Sequence, residues 1–290
     1  MNDPRGPWRQ RPPPPGPSAA RPRREPAATA GDAPAPRPER APELRLYGLN
    51  AVRAAFERRP RALRKLYLDE RRMGELKPLL AWCVAQRIGY RVVGEDDLRK
   101  LAGSDRHEGV VADVLRPAPL PLEAWLAGLR PGPALAIWLD GVGNPHNLGA
   151  ILRSAAHFGA AGLLLPAGSA LALSGAAARV AEGGAEVVPL VQLPKPALAD
   201  ERLHEAGFVL AATLVHGGAD LFATRLPPRL VYVMGAEGAG MDRGFADACD
   251  LRLSIPGSGA VESLNVAAAT AVLLAQWAQR TRANLSLIHI

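Results

Sequence analysis

From residue 44 onward, apolar residues follow two alternating patterns, one typical of helices and the other of strands. Between residues 44 and 116, an apolar stripe such as Val52, Ala55 and Phe56 has helical spacing, whereas short apolar runs indicate strands. The predicted helices span 50–58, 76–86 and 95–101, and the predicted strands span 63–68, 90–93 and 109–115. This alternation predicts a small αβ domain at residues 44–116.

A second alternation covers residues 134–282, and its strands are continuously apolar. The predicted strands span 134–139, 162–165, 187–190, 209–213, 230–234 and 251–255, and the predicted helices span 148–158, 174–182, 197–205, 243–248 and 263–280. Apolar strands separated by helices imply a parallel sheet with helices on both faces, so we expect an α/β fold. Residues 117–133, rich in Pro and Gly with one helical turn, are expected to be a linker.

The first 43 residues lack both patterns. They hold 13 of the 28 prolines and eight arginines against five acidic residues, which gives them +3 of the net charge of +7. Because almost no apolar side chains are present to offset the entropy of ordering, we expect a disordered, solvated tail. This tail is either a spacer or a weak attractant for RNA.

The overall composition excludes some classes of protein. An apolar content of 48% over 290 residues rules out a wholly disordered protein. The longest apolar run, 266–275, is about half of the roughly 20 residues that cross a bilayer, and the N-terminus lacks the apolar core of a signal peptide. We therefore expect a cytoplasmic protein with no membrane partner.

The numbers and positions of cysteine and arginine indicate which kinds of site and partner to expect. Cys83 and Cys249 are far apart and have no second Cys or His at ligand spacing, which argues against a disulfide framework or a zinc site. We expect both thiols to be buried and no metal to be bound. Arginine makes up 31 of the 35 basic residues, which fits either a polyanionic partner or a GC-rich genome.

Three loops that follow predicted strands carry the candidate chemistry, because ligands of parallel α/β folds bind beyond the carboxyl ends of the strands. In the first loop, 140–153 (DGVGNPHNLGAILR), Asn147 is either the N-cap of the next helix or a site residue. Arg153 lies further along that helix at the edge of its apolar face. Arg153 is therefore either a solvated helix charge or a site residue at the border of the buried face.

The second and third loops are rich in glycine, which permits a close approach of the backbone to a ligand. In 235–241 (GAEGAGM), Glu237 is either a cap or a polar anchor of a pocket. In 255–265 (IPGSGAVESLN), Ser263 is placed to cap the last helix. The second loop is not a dinucleotide fingerprint, whose glycine spacing differs, and it lacks the lysine of a phosphate-binding P-loop.

Together, in this order and at these spacings, the loops resemble the three motifs of the SpoU–TrmH family of RNA ribose 2′-O-methyltransferases. Those motifs are N-P-x-N-x-G-x-x-x-R, G-x-E-G-x-G and I-P-loop-S-L-N-V, and here they occupy residues 144–153, 235–240 and 255–266. Upstream, YGLNAVRAAFE and DRHEGVVADV resemble the two ends of the ribosomal-protein-L30-like (L30e-like) RNA-binding domain that many members carry. The resemblance thus implies an L30e-like substrate-binding domain at 44–116 and a SpoU methyltransferase domain of the SPOUT superfamily at 134–282.

For the fold and cofactor, the resemblance implies a trefoil knot that builds a pocket for S-adenosylmethionine, and a homodimer formed through the methyltransferase domain. Carried over by matching position, the cofactor contacts are Gly235, Ile255 and Leu264, largely through backbone groups, with Thr213 as an addition from an earlier strand. An adenine ring suits such a site, since it fits a flat apolar slot edged by backbone donors and acceptors.

For the reaction, the resemblance implies methylation of a ribose 2′-hydroxyl in RNA, with Arg153 implicated in activating that hydroxyl. A free arginine is a poor base, so Arg153 acts either as a base in an unusual setting or as an anchor for a substrate phosphate. Asn147, Glu237, Ser263 and Asn265 are expected to hold Arg153 and the RNA in place.

The substrate is expected to be ribosomal or transfer RNA, with ribosomal RNA favoured. GNPHNLGAILRSAAHFG and AARVAEGGAE resemble a subgroup described only as tRNA/rRNA methyltransferases more than the subgroup that modifies a large-subunit guanosine. Two other classes stay open, a non-catalytic RNA-binding or ribosome-assembly protein and a small-molecule methyltransferase. The complete set of motif residues favours catalysis, and the L30e-like segment favours RNA.

The last six residues fit neither predicted domain. LSLIHI at 285–290 equals a translation of CTG TCT CTT ATA CAC ATC, which resembles the transposon end used in preparing sequencing libraries. We therefore expect residues 283–290 to be a non-native tail. An uninterrupted native reading frame through residue 290 in the genomic locus would refute this.

Overall fold

The computed structural model describes residues 42–169, 171–236 and 240–288, with side chains as far as residue 281. The predicted tail at 1–43 therefore lies almost wholly outside the described residues. The backbone of the last helix runs into the predicted non-native segment and ends at Ile288. Whether that segment is native stays a prediction.

Within the described ranges, the strands form two sheets and alternate with helices along the chain. The strands are β1 (Glu43–Tyr47), β2 (Leu63–Leu68), β3 (Gly89–Val92), β4 (Val110–Leu115), β5 (Leu120–Pro121), β6 (Ala134–Leu139), β7 (Gly162–Leu165), β8 (Leu190–Gln192), β9 (Val209–Leu214), β10 (Ala219–Asp220), β11 (Arg229–Met234) and β12 (Leu251–Ser254). The α-helices are α1 (Leu49–Arg58), α2 (Lys77–Ala85), α3 (Glu95–Ala102), α4 (Leu122–Ala127), α5 (Pro145–Phe158), α6 (Gly175–Val180), α7 (Pro196–Glu205), α8 (Arg243–Ala248) and α9 (Val266–Ile288). Short 3₁₀ turns occupy Pro60–Ala62, Glu70–Arg72 and Gly184–Glu186.

The first sheet has the strand order β1-β4-β2-β3. Its pairs are antiparallel except β2 with β3, which are parallel. Local signals set the helices beside it: α3 begins with three acidic residues, which suit the positive end of the helix dipole. It ends at Gly103, whose φ of +63° is the left-handed conformation that glycine adopts readily. The helices and strands predicted for residues 50–115 are confirmed to within two residues.

The second sheet has eight strands in the order β10-β12-β9-β11-β6-β7-β8-β5, and all its neighbouring pairs are parallel. The α/β fold with a parallel sheet is therefore confirmed. The six side chains of β6 are all buried and alternate between two core clusters, one on each face of the sheet. One cluster continues into the small sheet through Leu46 and Leu66, so the two sheets share a core. The trefoil knot stays a prediction.

The prediction failed at two places where short elements interrupt the pattern. The strand predicted at 187–190 is wrong in position: β8 covers Leu190–Gln192, because the chain first makes the 3₁₀ turn at Gly184–Glu186. The predicted linker packs on the large sheet, where β5 pairs with β8 and Trp125 is 3% exposed. Its indole Nε1 donates a hydrogen bond to the backbone oxygen of Ala161 at 2.9 Å.

Both cysteines are buried, as predicted. Burial raises the pKa of the Cys83 thiol to about 11, and burial with nearby acidic charges does the same for Cys249. Across the described residues, no helix is both long and apolar enough to cross a membrane.

Candidate active site at the carboxyl edge of the parallel sheet

Four neighbouring strands end at one edge of the large sheet. β12, β9, β11 and β6 lie side by side and run parallel, so the loops that follow them leave the sheet on the same side. The three loops singled out in the sequence follow β6, β11 and β12. Since parallel α/β folds bind ligands at this edge, the topology brings the three loops to one candidate site.

Glycines allow the first two loops to pack against each other. Gly141 has φ of +83°, and a Cβ atom placed there would lie 2.8 Å from the Cβ of Ala236. Gly235 has no room for a side chain either, because its Cβ would lie 2.6 Å from the backbone nitrogen of Met241. The second loop closes by paired backbone hydrogen bonds between Ala236 and Gly240, at 3.1 and 2.9 Å. Glu237 of this motif lies outside the described residues.

Of the two alternatives for Asn147, the structure excludes the cap of α5. The N-cap is Asn144, whose side-chain oxygen accepts a hydrogen bond from the backbone nitrogen of His146 at 2.9 Å. Pro145 occupies the first helical position, where the lack of an N–H group costs nothing. Asn147 therefore lies inside the first turn, and it is only 8% exposed.

The start of α9 likewise differs from the prediction. Asn265 is the capping residue, because its Oδ1 accepts hydrogen bonds from the backbone nitrogens of Ala267 at 2.9 Å and Ala268 at 3.4 Å. Ser263 lies three residues before the first helical residue and is exposed, so its predicted capping role is wrong. The amide Nδ2 of Asn265 donates to Oδ1 of Asn147 at 3.2 Å. The structure thus joins two predicted site residues from opposite ends of the domain.

The predicted cofactor contacts all lie at this edge. Thr213 is near the end of β9, and its hydroxyl donates to the backbone oxygen of Val233 at 2.8 Å, two residues before Gly235. Ile255 directly follows β12. Leu264, in the loop before α9, leaves 48% of its surface exposed. The edge therefore combines glycine backbone with accessible apolar side chains.

Arg153 occupies a different part of α5. It lies about two helical turns beyond Asn147, and its side chain is 64% exposed. Its Nη1 is 3.9 Å from Oε1 of Glu182, which the sequence interpretation did not single out. Asp140, which directly follows β6, was likewise not identified as a site residue from the sequence. Burial raises the pKa of this carboxyl, and the negative charge of Asp242 adds to the shift.

In the part of the chain that the structure describes, no group of three or more His, Cys, Asp and Glu side chains could hold a metal ion.

Comparison with known proteins relates both parts of the chain to established families. Residues 134–275 match the SpoU rRNA methylase family, and residues 45–120 match the family described as RNA 2′-O ribose methyltransferase substrate binding. The chain is 36% identical over 249 residues to the uncharacterized tRNA/rRNA methyltransferase YfiF of Escherichia coli O157:H7, covering 85% of this chain and 71% of that protein. It is 38% identical over 234 residues to the 23S rRNA (guanosine-2′-O-)-methyltransferase RlmB of Ralstonia nicotianae, covering 79% of this chain and 92% of that protein.

The fold has solved counterparts. The SpoU methyltransferase AviRb from Streptomyces viridochromogenes, crystallised in complex with the cofactor AdoMet, superposes with a TM-score of 0.70 at 26% sequence identity. The match covers 83% of this chain and 91% of that protein.

Proposed function

Because the chain belongs to the SpoU rRNA methylase family, we propose that it transfers a methyl group from S-adenosylmethionine to a ribose 2′-hydroxyl in RNA. The observation that carries this proposal is the Asn147–Asn265 hydrogen bond, which joins the first and third motif loops at the carboxyl edge of the sheet. The substrate-binding family match at residues 45–120 supports RNA as the methyl acceptor.

The residues at the sheet edge fit the cofactor. Gly235 has no side chain, and the partly exposed Leu264 offers an apolar surface for an adenine ring. We propose that Gly235, Ile255 and Leu264 bind S-adenosylmethionine, with Thr213 holding β9 against β11 beneath it. When bound, S-adenosylmethionine would supply an electrophilic methyl group on a sulfonium: the ribose 2′-oxygen forms a bond to the methyl carbon as the carbon–sulfur bond breaks, S-adenosylhomocysteine leaves, and the hydroxyl proton passes to water.

Arg153 is proposed to orient the ribose through a substrate phosphate. A guanidinium is a poor base, whereas its planar fork pairs well with phosphate oxygens. Arg153 is exposed and available to RNA, which favours the anchoring role over the alternative of a base. Holding the ribose in line with the methyl group is itself a large part of catalysis in such transfers.

The remaining motif residues are proposed to shape the site around Arg153 and the RNA. Asn147 and Asn265 fix the start of α5 relative to the third loop through their hydrogen bond. Ser263 is exposed in that loop and suits contact with RNA. Glu237 is proposed, from its motif position, to help hold Arg153 and the RNA in place.

We further propose that the RNA is ribosomal, since relatives such as the Ralstonia protein are named for a 23S rRNA guanosine. Such a substrate implies a cytoplasmic location. We also propose a homodimer formed through the methyltransferase domain, in which Val261, with 71% of its surface exposed in the loop before α9, would be covered. Apolar side chains exposed in this way suit a protein interface.

The competing function is a non-catalytic RNA-binding or ribosome-assembly protein of the same fold. Methyl-labelled S-adenosylmethionine, incubated with the full chain and ribosomal or transfer RNA from a strain lacking the gene, separates the two. The proposed function predicts label in 2′-O-methyl nucleosides after RNA digestion. Binding of S-adenosylmethionine without label in either RNA would support the assembly role instead.

A further inference from the structure

Three polar pairs join the small αβ domain to a single segment of the methyltransferase domain. The segment comprises α6 and the turn that follows it, and its three charged residues are spaced three and four positions apart. The pairs are Glu108 with Arg179 at 2.8 Å, Asn50 with Glu182 at 2.6 Å, and Arg59 with Glu186 at 2.6 Å. We call this set the docking pairs.

The middle pair lies in a turn that is tightly enclosed. Glu182 has φ of +51°, a conformation uncommon for residues other than glycine. A Cβ at Gly183 would lie 2.9 Å from the Cβ of Ala54 on α1, and a Cβ at Gly184 would lie 3.2 Å from the Cα of Arg153 on α5. The turn is therefore held between a helix of the small domain and the helix that carries Arg153.

The two carboxylate oxygens of Glu182 have different partners. Oε2 accepts a hydrogen bond of 2.6 Å from Nδ2 of Asn50, on the small domain. Oε1 is 3.9 Å from Nη1 of Arg153. The Glu182 side chain is 25% exposed and the Arg153 side chain is 64% exposed. The carboxylate of Glu182 is thus held in place beside an arginine side chain that has much conformational freedom.

From this arrangement we propose that Glu182 is a positioning residue for methyl transfer. Asn50 holds the carboxylate, and the carboxylate restricts the guanidinium of Arg153 to the region where the substrate phosphate binds. Docking of the small domain is thereby coupled to the reaction through Asn50, Glu182 and Arg153. This inference rests on the proposed role of Arg153.

Energetics favour a kinetic role for this contact over a stabilising one. An ion pair at 3.9 Å with an exposed partner contributes little to folding. Ordering a guanidinium before it meets a phosphate, by contrast, reduces the entropy lost in the transition state. Glu182 should therefore influence turnover more than stability, whereas the shorter and more buried Arg59–Glu186 pair should show the reverse.

The test compares two variants of the full chain with wild type, using ribosomal RNA from a strain lacking the gene. Glu182→Gln keeps an oxygen for Asn50 but removes the charge that faces Arg153. We expect kcat to fall about tenfold, with the KM for S-adenosylmethionine unchanged and the midpoint of thermal unfolding close to that of wild type. Glu186→Gln, at the same interface, should lower the unfolding midpoint more and kcat less.

The anchor is tested separately by Asn50→Ala. It should lower kcat, as Glu182→Gln does. The double variant should have a kcat only slightly below that of either single variant, because both changes disrupt the same series of contacts from Asn50 through Glu182 to Arg153. Additive losses in the double variant would contradict the coupling. Equal losses of kcat in Glu182→Gln and Glu186→Gln would overturn the proposal in favour of general docking.

Arg153→Ala distinguishes failure of this inference from failure of the proposed function. If Arg153→Ala loses methyl transfer while Glu182→Gln keeps the wild-type kcat, only the positioning role falls. If Arg153→Ala itself turns over like wild type, the proposed role of Arg153 falls with it.

Discussion

Asn265 donates a hydrogen bond of 3.2 Å from its side-chain amide to Oδ1 of Asn147, across 118 residues of sequence. The same Asn265 caps α9 with its side-chain oxygen, so one amide both starts a helix and fixes its position against the first turn of α5. The loops after β6 and β12 are held together at this point. Loss of the bond should loosen the candidate site without unfolding the domain.

Asn265→Asp isolates this bond from the cap. A carboxylate still accepts hydrogen bonds from the backbone of α9, but it cannot donate to Asn147. We expect methyl transfer to fall while the free energy of unfolding stays within about 1 kcal/mol of wild type. Asn265→Ala removes both functions and should cost about 1 kcal/mol more through loss of the cap. If Asn265→Asp matches wild type in transfer, the bond has no role in the reaction.

Gly235→Ala tests the second loop. Its new methyl group would lie 2.6 Å from the backbone nitrogen of Met241, so the loop must shift away from its present path. We expect weaker binding of S-adenosylmethionine by titration calorimetry, by at least about tenfold. The matched control is Gly94→Ala in the small domain, where an added Cβ meets nothing within 4 Å. Equal affinities in both variants would exclude Gly235 from the cofactor site.

Arg153→Ala separates binding from reaction. Because Arg153 is exposed on α5 and none of the proposed cofactor contacts belongs to that helix, its loss should leave the Kd for S-adenosylmethionine within about twofold of wild type. Methyl transfer should fall at least about 100-fold, since the nucleotide is no longer oriented. Arg153→Lys should recover part of the rate through its charge but not the paired geometry. Weaker cofactor binding in parallel with the lost rate would place Arg153 in the cofactor site.

A pH-dependent contribution to stability is expected at His204. Its hydrogen bond to Asp250, at 2.8 Å, raises the pKa of the imidazole above the ordinary 6.5, although partial burial opposes the shift. A raised pKa in the folded state means that the stabilisation is complete below about pH 6.5 and is lost as pH rises through the folded-state value. The unfolding free energy of wild type should therefore exceed that of His204→Gln more at pH 5.5 than at pH 8.5. The difference should be about 0.5 kcal/mol, because the pair is partly exposed. A pH-independent difference would rule out this linkage.

Much of the fold could be predicted because the central strands carry a signal that depends on local sequence alone. Ala134–Leu139 and Gly162–Leu165 are continuously apolar and are observed with the predicted bounds. Short edge strands have no such signal: β5 and β10 contain two residues each, and their pairing depends on neighbours far along the chain. The displaced β8 has a similar cause, since a turn enclosed by two helices precedes it.

The sequence predicted which residues form the candidate site but not which of them contact one another. The motif spacing identified Asn147 and Asn265, and the position of Pro145 could have assigned the helix cap to Asn144. That Asn147 is buried against the start of α9 follows only from the tertiary structure. Glu182 gave no sequence signal either, because its proposed role depends on tertiary contacts with Asn50 and Arg153.

The proposed function is methylation of a ribose 2′-hydroxyl in RNA, and Arg153 is required for it. The most direct measurement is a map of 2′-O-methyl groups in ribosomal and transfer RNA from a deletion strain, complemented with either wild type or Arg153→Ala. We predict that a methylated position disappears on deletion, returns with wild type and stays absent with Arg153→Ala. Identical maps in the presence and absence of the gene would contradict the claim.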